Sequence, residues 1–127
     1  MLAIDTNVVV RLLVADDERQ TAEARSLFET GEVWIGITVL LETIWVLTGV
    51  YGMKEAAAAG CLRQLLGLPN VRVEDATIVA TALDAVPCGL ELADALHLRR
   101  VPYQTEFATF DRALARAGRK LRPIRAL

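Results

Sequence analysis

At 127 residues, 54% hydrophobic and 24% charged, the chain has the length of one domain, 1–127, and enough apolar material for a single core. Its net charge of −2 argues against a generic polyanion binder. Cys61 and Cys88 show neither C-x-x-C spacing nor a histidine cluster, which excludes a zinc or dithiol motif, and both read as buried thiols.

Leu2 to Ile4 read as the end of a buried strand, and Asp5, Thr6 and Asn7 as the polar turn that starts a helix over Val8 to Val14. Asp5 also interrupts the apolar start, so no signal segment is read and a cytoplasmic protein is expected. "DDERQTAEARSLFETG" predicts a second helix, with Asp17 and Gln20 at capping-box spacing and Gly31 as its stop. The apolar stretch "VWIGITVLLETIWVLTGVY" approaches membrane-spanning length, but Gly36 and Glu42 break it into a core strand and a core helix capped by Thr38. No membrane association is expected. "MKEAAAAGCLRQLLG" continues as an Ala-rich helix and "NVRV" as a strand. Helices follow at about Asp75 to Ala85 and Leu90 to Arg100, the second stopped by Pro102. "YQTEFATF" predicts a strand, Asp111 the start of another helix, and "LRPIRAL" a final strand. Strands alternating with helices imply an α/β sandwich with parallel strands and right-handed crossovers.

Charge is unevenly spread. Residues 1–98 hold 6 basic and 14 acidic side chains, whereas residues 99–127 hold 8 basic and 2 acidic. Arg99, Arg100, Arg112, Arg116, Arg119, Lys120, Arg122 and Arg125 therefore read either as a phosphate-tracking surface or as an ordinary solvated face.

Four carboxylates stand where a carboxylate is costly. Asp5 and Asp111 follow strands, at the sheet edge where open α/β folds bind ligands, and each reads alternatively as a helix N-cap. Glu42 has apolar neighbours in "ITVLLETIWVL" and reads in one of three ways: as a cation ligand, as one half of a buried ion pair with an Arg such as Arg11, or as part of a helix face that reaches solvent. Asp94 sits in "LELADALHL" with Glu91 and His97 one turn away on either side, as part of a site or of a wet helical stripe. Four carboxylates sharing one place require a cation, and an all-oxygen set points to Mg²⁺ or Mn²⁺.

"IDTNVVVRLLVADD", "ITVLLETIWVL", "ELADALHL" and "ATFDRAL", in this order, resemble the PIN-domain ribonucleases, specifically the VapC-type toxins of toxin–antitoxin pairs. The resemblance implies a PIN-like three-layer α/β sandwich with a central, mostly parallel sheet. It also implies a metal-dependent endoribonuclease leaving 5′-phosphate and 3′-hydroxyl ends. Asp5, Glu42, Asp94 and Asp111 match the family's acidic metal-binding quartet, with Asp5 and Asp94 as principal ligands, Glu42 as ligand or water orienter and Asp111 as outer ligand. Thr6, Asn7 and Thr109 match its supporting polar residues. Where many relatives carry a further acid before the third, this chain has Glu91, Leu92 and Ala93, which leaves Glu91 as the substitute. The resemblance further implies an RNA substrate, a VapB-like antitoxin whose C-terminal segment covers the groove with an Arg among the acids, and a homodimer. Apolar contact for the dimer would come from the region of Trp34, Trp45 and Tyr51, although core packing is the commoner use of tryptophan.

Two rival enzymes fit poorly. A haloacid-dehalogenase-type phosphatase wants a second acid at position 7, which is Asn7, and a receiver domain wants an acidic pair after its first strand, whereas Asp16 and Asp17 lie too far downstream. The alternative from another class is a non-catalytic PIN-like module, binding RNA or protein, in which the acids only cap helices and pair with arginines.

Overall fold

Short apolar strands alternate with helices throughout the computed structural model, which describes residues 1–127. In chain order they are β1 (Leu2–Ala3), α1 (Thr6–Val14), α2 (Glu18–Thr30), β2 (Val33–Ile35), α3 (Ile37–Gly49) and α4 (Glu55–Leu66). β3 (Val71–Val73), α5 (Ala76–Ala85), a 3₁₀ turn (Val86–Cys88), α6 (Leu92–Arg100), β4 (Phe107–Thr109), α7 (Arg112–Gly118) and β5 (Ile124–Ala126) follow. The fold is the expected α/β class, with every strand pair parallel. The residues divide into two compact units, Met1–Ala76 and Thr77–Leu127.

In the first unit the strands pair in the order β1-β2-β3, with Leu2 opposite Val33 and Val33 opposite Val71. Parallel neighbours cannot be joined by a tight hairpin, so two helices cross over between each pair. Val33 and Ile35 of the central strand are fully buried, as are Val9, Ile44, Leu47 and Leu62. α1 packs on α2 and α3, and α3 on α4. β1 lies at the sheet edge: Leu2 is 49% exposed and only Ile4 is buried, so the expected buried strand end is reduced to one residue. In the second unit β4 and β5 pair with Phe107 opposite Ile124 and Thr109 opposite Ala126, and α7 packs on both strands and on α6.

The starts of α1, α2 and α7 follow local aspartate caps, and that of α3 does not. Asp5 Oδ1 accepts the Val8 N–H at 3.2 Å and Asp17 Oδ1 the Gln20 N–H at 3.0 Å, which begins α1 two residues earlier than expected. The second half of the capping box does not form, because Gln20 Oε1 instead accepts from Arg11 Nε at 2.5 Å. Thr38 is not the cap of α3. The N-cap is Gly36, which has no side chain to offer, and the Ile37 N–H donates to the Glu74 carboxylate at 3.0 Å. Space at Gly36 is tight, since a Cβ there would stand 3.3 Å from the Trp34 ring.

The expected strand over residues 103–110 shrinks to Phe107–Thr109. Pro102–Thr105 is a turn closed by the Thr105 N–H to the Pro102 carbonyl at 3.2 Å, with Gln104 at φ +62°. The Arg122 guanidinium fixes this turn through the carbonyls of Leu98, Pro102 and Thr105 at 2.7, 2.9 and 3.4 Å. The cysteines and Trp45 depart from the expected burial: Cys61 is half-buried and Cys88 exposed, and Trp45 is 58% exposed. Glu42 faces solvent, which selects the helix-face reading over the buried ion pair. No helix is long and apolar enough to cross a membrane.

Two substitutions test this packing. Glu74→Ala removes the acceptor at the start of α3 and is expected to lower unfolding free energy by about 1 kcal/mol, while Thr38→Ala changes it by less than about 0.5 kcal/mol; urea denaturation distinguishes them, and equal losses would return the cap to Thr38. Thr43 is fully buried with its hydroxyl unpartnered, so Thr43→Val is expected to stabilise the protein by roughly 1 kcal/mol in the same measurement.

Candidate active site

In the first unit Asp5 follows β1, with extended backbone and one oxygen given to the α1 cap. The cap leaves the second oxygen uncommitted. Asp5 and Asn7 are exposed and Thr6 between them is buried. Asn7 opens onto a cleft of about 390 Å³ that also contacts Arg11, Gln20 and Glu23, and none of the four candidate acids lines it. Glu42 lies on the solvent side of α3, so it carries no burial cost.

Nor does Glu42 take Arg11 as a partner. Arg11 donates to Asp16 at 2.9 Å and to the Tyr51 hydroxyl at 3.4 Å, and that hydroxyl donates to the other Asp16 oxygen at 2.8 Å. The Tyr51 hydrogen bond, seconded by the Arg11 charge, holds the Asp16 carboxyl below the usual carboxylate range. This closed triad joins the end of α1 to the residues after α3.

The second unit brings Asp94 and Asp111 into electrostatic contact. Asp94, in the first turn of α6, is half-buried, and its carboxyl is pushed above the ordinary carboxylate range. Burial is the largest cause, followed by the negative charge of Glu91; Asp111 adds to the rise and His97 opposes it. Asp111 follows β4 as Asp5 follows β1, and its Oδ1 accepts the Leu114 N–H at 3.0 Å to cap α7. Thr109 Oγ1 accepts the Asp111 N–H at 3.0 Å, which gives Thr109 a direct part in holding the acid. Glu91 occupies the N-cap position of α6 without making a side-chain cap bond, and His97 is exposed one turn past Asp94.

Within neither unit do three His, Cys, Asp or Glu side chains gather into a ready-made metal-ligand group. The second unit nevertheless suits a hard cation. Glu91 and Asp111 add negative charge around the half-buried Asp94 carboxylate and His97 offsets part of it; carboxylate oxygens so placed are donors of the kind a hard cation takes. Glu74 is the strand-end acid that the sequence reading passed over. It follows β3 much as Asp5 and Asp111 follow β1 and β4, and one of its oxygens caps α3.

The PIN domain family profile matches residues 2–120. No curated protein matches the chain. PIN domains are generally nucleases and typically use divalent metals, in keeping with the carboxylate pair of the second unit.

The Asp94 environment gives a pH-dependent signature. Its folded carboxyl binds a proton more tightly than the ordinary value of 3.8, so the folded state holds the extra proton and stability falls as pH rises through the window above that value. Asp94→Asn is therefore expected to melt higher than the native protein at pH 7 without divalent ions, the gap closing on acidification below the carboxylate range. Saturating Mg²⁺ should stabilise the native protein, by about 2.7 kcal/mol at a hundred times the dissociation constant, and leave Asp94→Asn unmoved. A variant that melts lower at pH 7 and gains equally from Mg²⁺ would remove Asp94 from the site.

Proposed function

Because the chain belongs to the PIN-domain family, we propose that it is a divalent-cation-dependent endoribonuclease of the VapC type, the toxin of a toxin–antitoxin pair. The observation that carries this reading is the half-buried Asp94 carboxylate crowded by Glu91 and Asp111. Asp94 and Asp111 hold the cation, Mg²⁺ or Mn²⁺, and the resemblance adds Asp5 and Glu42 of the first unit to the same acidic set. A match running from residue 2 to 120 supports treating the chain as one functional domain. When bound, a divalent ion lowers the pKa of a water nucleophile and offsets charge at the phosphorus centre.

The chain's own residues supply placement. Thr109 fixes the Asp111 backbone, the α7 cap fixes the Asp111 side chain, and one oxygen remains outside the cap. Asp5 is held by the same device at α1, with Thr6 and Asn7 as its polar support. The 5′-phosphate and 3′-hydroxyl ends that the resemblance implies require water to attack phosphorus and the P–O3′ bond to break, with the 3′ oxygen leaving protonated. A VapB-like antitoxin placing an Arg against these carboxylates would pair with them by charge-assisted hydrogen bonds. The exposed Trp45 and Val50 near the end of α3 supply apolar area for a homodimer, and the cytoplasm is the compartment of such a pair.

One observation favours a second reading. Asp5 and Asp111 both cap helices, which is all a non-catalytic RNA- or protein-binding module would ask of them. Cleavage separates the two. Antitoxin-free protein is expected to cut RNA with Mg²⁺ or Mn²⁺ and not with EDTA, and Asp5→Asn and Asp94→Asn, folded by circular dichroism, to lose about 10²-fold or more in rate. Equal cleavage by native and variant proteins would end the nuclease reading.

A further inference from the structure

Three of the second unit's cations are set apart from the others. Arg125 pairs with Glu106 at 2.6 Å, and Arg122 is consumed by three backbone carbonyls. Arg112, Arg116 and Arg119 instead line one open groove of about 270 Å³ whose remaining walls are Ala115 and Ala126, with no carboxylate among them. The spacing of 4 and then 3 residues puts the three on one face of α7 and its end, and all three are exposed. Small alanines between them leave the groove shallow. A row of like charges in a groove without a carboxylate in its lining suits a polyanion.

A second feature adjoins this row in the chain. Phe110, in the bend between β4 and α7, is 82% exposed, whereas Phe28 of the first unit is buried. Phe110 falls between Thr109 and Asp111, and Arg112 follows immediately. An aromatic face open to solvent, one residue from a site acid and two from the first arginine, is the pairing with which proteins hold single-stranded nucleic acid: cations follow the backbone and a ring stacks on a base. An acidic protein segment would need the arginines and leave the ring without a role.

We propose that Arg112, Arg116, Arg119 and Phe110 form the substrate-positioning track of the protein. The arginines hold the phosphates of single-stranded RNA, and Phe110 stacks on an unpaired base beside Asp111. The proposal rests on the ribonuclease reading and assigns that reaction a requirement for unpaired bases at this point.

Binding without cleavage tests it, using the full chain in EDTA and a 5′-fluorescein oligouridylate of about 12 nucleotides followed by anisotropy. Replacing all three arginines by Gln is expected to flatten the slope of log affinity against log salt by about 2, and replacing them by Lys to preserve it. Phe110→Ala is expected to weaken binding by about 5- to 150-fold, the range for loss of one base–aromatic stack. Phe110→Trp is expected to keep the affinity and show quenched indole emission when the oligomer is added. The same oligomer in a duplex should bind equally well to native protein and Phe110→Ala.

An unchanged salt slope in the Gln variant, or native affinity in Phe110→Ala, would overturn the proposal. So would polyglutamate that displaces the oligomer from both native protein and Phe110→Ala with equal potency, which would assign the groove to an acidic protein partner. Failure of the nuclease reading looks different, because native protein would then bind the oligomer as described and still leave RNA intact with Mg²⁺ or Mn²⁺.

Discussion

A helix begins with backbone N–H groups that no helical carbonyl can satisfy, and this chain repeatedly meets that need with an aspartate that has a spare oxygen. Asp5, Asp17 and Asp111 each give one oxygen to the N–H three residues on, at 3.2, 3.0 and 3.0 Å. The cap fixes where the carboxylate stands. Two of the three directly follow parallel strands, at the sheet edge where α/β folds take up ligands. Asp17 follows a helix–helix turn and has only the cap to serve. Capping and ligation are therefore compatible duties of one side chain. At α3 the sequence places glycine at the cap, and the duty passes to Glu74, a strand-end acid 37 residues away.

The cations divide by a similar logic. Of the eight basic residues in the final third of the sequence, Arg122 and Arg125 hold backbone and a carboxylate respectively, and Arg99 is half-buried with an unpartnered Nε. The α7 arginines carry no such duty. Positive charge in a sequence window thus overstates the cationic surface, because part of it is internal wiring. Negative charge behaves likewise in the first unit, where Asp16 is closed into a triad with Arg11 and Tyr51.

Much of the fold was legible because it is local. Apolar periodicity places the strands and helices, and Pro102, Gly31 and the Asp caps place most of their ends. The misreadings share one cause, a partner remote in sequence: Glu74 for the start of α3, Arg11 for the Gln20 side chain, Arg122 for the turn that shortens β4. At Glu42 the sequence leaves two structural readings, a paired burial and a helix face in water. Thr38, Glu42, Trp45 and Gly49 are all exposed and recur at helical spacing as one stripe of α3. Reading by spacing places Glu42 in water and Trp45 with it. For the site, sequence nominates Asp5, Glu42, Asp94 and Asp111 as candidates, whereas the crowding of Asp94 by Glu91 and Asp111 needed coordinates.

The Arg122 clamp and the β4–β5 pairing have a consequence in time. β4 pairs with β5 alone, and the turn leading into β4 is held by a side chain 17 to 24 residues downstream. During synthesis, α6 and β4 emerge before either restraint exists. Thr109 and Asp111 make their own hydrogen bonds locally, whereas the strand and turn that lead into them gain their long-range support only when residues 122–126 arrive. Completion of this corner of the protein therefore waits for the last few residues of the chain, after every candidate acid has already been made.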